Sequence, residues 1–202
     1  EKPYRRRTLF EPLRADPRWP HFGASWLYYM ADTEIANAGA TSFGETFPIR
    51  RARMDNGDEW ELALQAGVFA IFDLDAASKD LVNADYRVGI PVTWRRDRLS
   101  VLGRVYHQSS HLGDEFLLRN RVERVNLSYE TVDVLINWNA NEALRLYGGG
   151  GYIFHKDPRD IEPWMTQYGV EITGPELGKV TNRVARLVAA ADLQNHQETQ
   201  WR

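Results

Sequence analysis

The feature that most constrains the fold is a period-two alternation of apolar and polar residues, which recurs along most of the chain. Residues 59–72 show it most clearly, because every second position is apolar: Trp60, Leu62, Leu64, Ala66, Val68, Ala70 and Phe72. Residues 85–94 repeat the pattern with Tyr86, Val88, Ile90, Val92 and Trp94. Successive side chains of a strand point to opposite faces, so this pattern predicts an all-β fold whose strands each have one apolar face.

The polar faces of these strands distinguish a soluble β-sandwich from a membrane barrel. They carry arginines, which a dry sandwich core would not accommodate but a polar barrel lumen would: Arg87, Arg104, Arg124 and Arg145. The apolar faces often begin or end with an aromatic residue, as in the interfacial girdles of outer-membrane barrels. We therefore expect an antiparallel, transmembrane up-and-down β-barrel in a bacterial outer membrane.

The connections between the predicted strands alternate in length, which is typical of outer-membrane barrels. Short turns at 55–58, 95–98 and 137–141 alternate with longer loops near 31–43, 73–83, 112–121 and 156–163. The strands are predicted at 21–31, 43–54, 59–72, 84–95, 99–111, 122–137, 143–155, 164–174 and 181–192. A change of face near Glu130 and Thr131 predicts a β-bulge.

Nine strands cannot close a barrel of the usual even number, and open edges are not tolerated in lipid. We therefore expect ten or more strands, with the last ones missing from this chain or supplied by another chain. Residues 1–20, with the run Arg5-Arg6-Arg7 and four prolines, are interpreted as a periplasmic lead-in or plug segment, and residues 21–202 as the incomplete barrel.

The composition restricts the possible partners. A net charge of −3 gives no support to a nucleic-acid partner. No stretch approaches the ~20 apolar residues of a membrane helix. The expected partner is membrane lipid, with other envelope proteins as a second possibility.

Several segments resemble a bacterial family known only as a domain of unknown function, of the DUF1207 type. They are residues 72–75, 78–87, 106–116, 124–130 and 145–149. The resemblance extends from about Leu9 to the end of the chain. It implies an outer-membrane barrel that continues beyond this chain, and it implies no activity.

The segment His107-Gln108-Ser109 is a candidate catalytic motif. Residues two apart on a strand share a face, and Val101, Gly103 and Val105 precede this pair on the same face. His107 and Ser109 should therefore point toward lipid near the outer loops. The arrangement resembles outer-membrane phospholipases and lipid A deacylases, which implies that Ser109 attacks an acyl ester while His107 acts as its base.

A third residue is needed to orient the imidazole. A hairpin centred near residues 113–115 would bring Glu123 opposite His107, on the face that also carries Val125, Leu127 and Tyr129. The alternative is that these polar residues have a structural or pore-forming role at the level of the lipid headgroups.

An acidic loop is a candidate cation site. Asp73, Asp75, Asp80 and Asp85 follow one another closely, and oxygen-rich loops bind Ca²⁺. The alternative is a hydrated turn capped by these side chains. A third set, Arg87, Arg104, Arg124 and Glu130, is predicted to face the lumen, where it could line a pore or form a closed, salt-bridged interior.

Overall fold

A computed structural model describes residues 8–30, 35–121, 127–180, 183–197 and 200–201. They form one antiparallel sheet in which each strand pairs with the next along the chain, curled into a half-barrel. The all-β up-and-down prediction is confirmed. The elements are β1 (Gly23–Tyr28), β2 (Asn37–Arg53), β3 (Glu59–Asp73), β4 (Leu81–Arg96), β5 (Leu99–Leu112), α1 (Asp114–Asn120), β6 (Leu127–Asn139), β7 (Leu144–Asp157), β8 (Trp164–Val180), β9 (Arg183–His196) and β10 (Gln200–Trp201).

The connections alternate in length, as predicted. One end of the sheet has the short turns β2–β3, β4–β5 and β6–β7, and the other end has the longer connections, including the one with α1. Asp58 fixes the short-turn end, because its carboxylate accepts two hydrogen bonds from Arg96 (2.7 Å each) and one from Trp94 Nε1 (3.0 Å). The preceding Gly57 has φ +89°, a conformation that favours glycine.

The two faces of the sheet differ in chemistry. On β4 the even-numbered side chains Tyr86, Val88, Ile90 and Val92 are exposed on the convex face. The odd-numbered ones point to the concave face, where the Arg87 guanidinium donates to the Gln108 amide oxygen. The same alternation holds on β3, where Gln65 is buried. The predicted facing of both strands is therefore confirmed.

Strand β6 departs from the prediction. Its odd-numbered residues, including Tyr129, face inward along the whole described strand, and the even-numbered ones, including Glu130, face outward. The predicted outward facing of Tyr129 and the predicted lumenal facing of Glu130 are therefore wrong. The register does shift after Glu130, as predicted, but the extra residue is in β7: Glu130 pairs with His155 and Thr131 with Ile153.

Residues 8–20 lie against the concave face. Phe10 stacks on Trp19, with 5.7 Å between ring centroids, and both are almost completely buried. They form a hydrophobic cluster with residues of the segment and of three strands: Leu13, Leu102, Leu135 and Tyr147. Burial of such side chains contributes about 1.5–3 kcal/mol each, so this cluster is a main source of adhesion between the segment and the sheet.

Polar contacts also attach this segment to the strands. The backbone N–H of Leu9 donates to Glu61 Oε1 (2.9 Å). The buried Arg145 donates to the carbonyl oxygens of Glu11 (2.7 Å) and Pro12 (2.9 Å). Arg18 forms an ion pair with Asp85 at 2.5 Å. The segment therefore contacts strands that lie far apart in the sheet.

The first and last strands do not pair with each other among the described residues. β1 pairs with β2, and β9 pairs with β8 and with the two-residue β10, which the sequence did not predict. This agrees with the expectation that the visible strands do not close a barrel by themselves. Within the part of the chain that the structure describes, no helix is both long and apolar enough to cross a membrane.

Candidate functional site

His107 and Ser109 lie on the convex face of β5, near the long-loop end of the sheet. Ser100, Leu102, Arg104, Tyr106 and Gln108 occupy the concave face of the strand. The register of β5 therefore directs the imidazole and the hydroxyl outward, together with the exposed Val105. This is the face that the sequence predicted for the pair.

Glu130 of β6 lies directly opposite His107. The distance between His107 Nδ1 and Glu130 Oε1 is 2.7 Å. An ionised carboxylate can only accept, so the proton of the neutral imidazole is on Nδ1 and the lone pair is on Nε2. Glu130 thus holds His107 in the tautomer that a general base requires.

His155 of β7 binds the other oxygen of the same carboxylate, with 2.5 Å between His155 Nδ1 and Glu130 Oε2. The bulge in β7 makes this contact possible, because it leaves Phe154 without a partner in β6 and pairs His155 with Glu130. The result is a row of three polar side chains across β5, β6 and β7. Sequence reasoning missed Glu130 and His155 as members of this row, because a bulge and a hairpin register are long-range properties.

Ser109 lies two residues from His107 on the same face and pairs with Tyr86 on one side and with Ser128 on the other. Within the described ranges its hydroxyl makes no hydrogen bond. The predicted orienting residue Glu123 lies outside the described residues, and Glu130 occupies the position opposite His107. The roles of His107, Ser109 and Glu123 in catalysis therefore stay predictions.

The four aspartates of the acidic loop do not share one partner. Arg119 of α1 binds Asp73 (2.5 Å) and Asp80 (2.8 Å). Asp75 accepts from the backbone and side-chain nitrogens of Asn37, both at 2.8 Å, and these bonds lower the pKa of its carboxyl below the ordinary value. Asp85 is bound to Arg18 instead.

Arg119 therefore brings Asp73 and Asp80 together, while Asp75 and Asp85 are held elsewhere. Among the residues that the structure describes, no group of three or more His, Asp or Glu side chains is arranged to hold a metal ion. The Ca²⁺ site stays a prediction from the sequence.

The concave face has a cavity of about 680 Å³, lined by both polar and apolar side chains. Arg104 is buried beside it, where it forms an ion pair with Asp133 and donates to Gln65 Oε1 (2.6 Å). Its guanidinium also lies 4.9 Å from the centroid of the Tyr106 ring. The inward facing of Arg87 and Arg104 is as predicted, while Arg124 lies outside the described residues.

Comparison with known protein families identifies the family of the chain. A family model described as "Protein of unknown function (DUF1207)" matches residues 3–202. The chain belongs to the DUF1207 family. This confirms the resemblance inferred from the sequence segments, and the family description gives no activity. No curated protein and no solved structure matches the chain.

Proposed function

We propose that this DUF1207 chain is an integral β-barrel protein of a bacterial outer membrane. The observation that carries the proposal is the continuous apolar convex face. From β3 to β9 the polar residues of that face are concentrated near the long-loop end. The rest of the face exposes large apolar side chains, among them Leu64, Val88, Ile90, Val92, Val105, Val132, Val134, Ile136, Tyr168, Ile172 and Leu193. A soluble protein rarely exposes so large an apolar surface.

The aromatic residues of this face support the same proposal. Trp60 pairs with Trp94 near the short-turn end, and Tyr152 pairs with Trp164 toward the opposite end. From Tyr86 to Trp94 the strand spans about 27 Å. This is comparable to the ~25 Å apolar band of outer-membrane barrels, which aromatic girdles border on both sides.

The concave face argues against two alternatives. A soluble sandwich would need an apolar inner face, but here Arg104, Asp133 and Glu171 are buried on it. A porin would need an open lumen, but residues 8–20 lie across the concave face. The proposed barrel therefore has a polar interior that its own N-terminal segment partly occupies.

Membrane fractionation tests this location. The full-length protein, expressed in its natural host, should co-sediment with outer-membrane markers and resist extraction by urea or alkaline carbonate. The Ile90→Arg variant places a charge on the apolar face, at a cost of about 2–4 kcal/mol near the bilayer centre. It should assemble poorly, whereas Asp97→Arg in the adjacent short turn should assemble normally. Recovery of the wild-type protein in the periplasmic fraction would contradict the proposal.

Hydrolysis of a lipid acyl ester is the second candidate function, and the hydrogen bond between Glu130 and His107 favours it. In this reaction Ser109 Oγ attacks the ester carbonyl carbon, and its proton passes to His107 Nε2. The proton then goes to the leaving alkoxide, and water hydrolyses the acyl–Ser109 ester in the same way. Glu130 stabilises the imidazolium that forms, so it takes the orienting role that was predicted for Glu123.

The lipid substrate follows from the position of Ser109. Its hydroxyl faces outward near the end of the apolar band, so in the proposed barrel it lies at the depth of the ester bonds of a phospholipid or lipid A. The purified protein in vesicles of these lipids should release fatty acid. Ser109→Ala should abolish the release, while Ser128→Ala, which removes the paired hydroxyl on β6, should preserve it. If the wild-type protein leaves both lipids intact, the barrel has a structural or docking role instead.

A further inference from the structure

A second serine and histidine pair lies on the opposite face of the sheet, and sequence reasoning missed it. His21 ends the N-terminal segment, and Ser42 is on the concave side of β2. The distance between Ser42 Oγ and His21 Nε2 is 2.9 Å. The residues are 21 positions apart. The β1–β2 ladder brings them together, because Gly23, two residues after His21, pairs with Ser42.

The other ring nitrogen determines the proton positions. His21 Nδ1 lies 2.6 Å from the carbonyl oxygen of Trp19. A carbonyl oxygen can only accept, so Nδ1 carries the proton of the neutral ring. Nε2 then has a free lone pair, and the Ser42 hydroxyl must be the donor. This is the arrangement of a serine nucleophile with its general base, in which a backbone carbonyl replaces the orienting carboxylate.

Gly23 makes room for the pair. A Cβ atom at this position would lie 2.9 Å from His21 Nε2 and 3.0 Å from Ser42 Oγ, which is closer than nearly all real Cβ contacts. A larger residue at position 23 would therefore force the imidazole or the hydroxyl to shift. Ser42 is only 7% exposed, while His21 is largely open to the surroundings. A substrate would therefore approach from the side of His21.

We propose that Ser42 and His21 form a serine-nucleophile site on the concave face, separate from the Ser109 site and acting on acyl esters dissolved in water. Ser42 Oγ bonds to the ester carbonyl carbon, and its proton passes to His21 Nε2. That proton leaves with the alcohol as the ester C–O bond breaks. Water then attacks acyl–Ser42, gives one proton through His21 back to Ser42 Oγ, and releases the carboxylic acid. The water-soluble substrate follows from the polar character of the concave face.

A fluorophosphonate probe tests the nucleophile directly. It forms an Oγ–P bond with an activated serine and releases fluoride, and peptide mass spectrometry identifies the labelled residue. We expect an adduct on Ser42 of the full protein that is absent in Ser42→Ala and retained in Ser100→Ala, a buried serine of the same concave face. The experiment reports Ser42 and Ser109 adducts as different peptides. Failure of one site is therefore distinguishable from failure of the other.

The variant His21→Gln tests whether His21 acts as a general base or only as a hydrogen-bond partner of Ser42. Glutamine can hydrogen-bond to Ser42 but cannot take its proton, so labelling should slow by about a hundredfold, as expected for loss of a general base. The thermal unfolding midpoint of His21→Gln should stay close to that of the wild type. Gly23→Ala should slow labelling as well, because its methyl group separates the pair. Absence of a Ser42 adduct in the folded wild-type protein, or unchanged labelling of His21→Gln, would overturn the proposal.

Discussion

Nδ1 of His107 donates a hydrogen bond to Glu130 across the β5–β6 ladder, over 2.7 Å between the nitrogen and Oε1. The bond fixes the histidine tautomer on the outer surface of the sheet, on the same strand and face as Ser109. The role of the residue that orients His107 is therefore tested at Glu130 and not at Glu123.

Replacement of Glu130 by Gln should reduce release of fatty acid from lipid vesicles by about a hundredfold or more, because the amide neither fixes the His107 tautomer nor stabilises an imidazolium. Glu142→Gln, an exposed position in the β6–β7 turn, is the control and should keep full activity. Equal rates for the two variants would exclude Glu130 as the orienting residue.

The acid opposite His107 could not be located from the sequence because α1 lies in the β5–β6 connection. The prediction assumed a tight hairpin centred near residues 113–115, which pairs His107 with Glu123. The helix Asp114–Asn120 occupies part of this connection, so the pairing moves to Glu130. The register of the two strands depends on the length of their connection. A short helix inside that connection leaves no trace in the alternation of the flanking strands.

The facing of β3 and β4 was predictable, because both strands alternate strictly and tight turns of known length connect them to β2 and β5. The facing of position 129 was not predictable, since an apolar residue beside a bulge can belong to either face. Tyr129 packs in the concave cluster with Tyr106 and Ile153. The contact between His21 and Ser42 depends on the register of β1 on β2, which pairs Gly23 with Ser42 and for which the sequence has no local signal.

The buried pair of Arg104 and Asp133 should be important for stability. Arg104→Met leaves the Asp133 carboxylate without its ion-pair partner, and breaking a buried pair costs about 3–5 kcal/mol. Urea unfolding in lipid vesicles, followed by tryptophan fluorescence, measures the loss. The double variant Arg104→Met/Asp133→Leu should regain part of it. Arg186→Met removes the exposed pair with Glu176 and should change the free energy of unfolding by less than about 1 kcal/mol.

Arg145 should hold residues 8–20 in place. Its guanidinium donates to the carbonyl oxygens of Glu11 and Pro12, and hydrogen bonds to charged groups contribute about 1.5–3 kcal/mol each. Arg145→Met should therefore accelerate trypsin cleavage after Arg14 by roughly tenfold or more. Arg98→Met, which removes a hydrogen bond from the β4–β5 turn to the Ala140 carbonyl oxygen in the β6–β7 turn, should leave this rate unchanged. Equal cleavage rates in both variants would mean that Arg145 does not retain the segment.

Asp58 should make stability depend on pH at the acid end. Hydrogen bonds from Arg96 lower the pKa of its carboxyl below the ordinary value of 3.8, against the opposing effect of burial, with Trp94 contributing as well. A lowered folded pKa stabilises the fold above pH 3.8, and this contribution is lost as the pH falls through the folded value. Asp58→Asn should be less stable than the wild type at pH 7, and the difference should shrink below pH 3.8. A stability difference that stays the same between pH 7 and pH values below 3.8 would contradict this role of Asp58.

The most direct test of the proposed membrane location is a nitroxide scan along β4. The chain has no cysteine, so single cysteines can be placed at each position from 86 to 94 and spin-labelled in lipid vesicles. We expect a period-two oscillation in collisions with oxygen, with maxima at 86, 88, 90 and 92 and few collisions there with a water-soluble nickel reagent. If the nickel reagent collides at these positions as often as oxygen does, the convex face is in water, and the membrane-barrel assignment is contradicted.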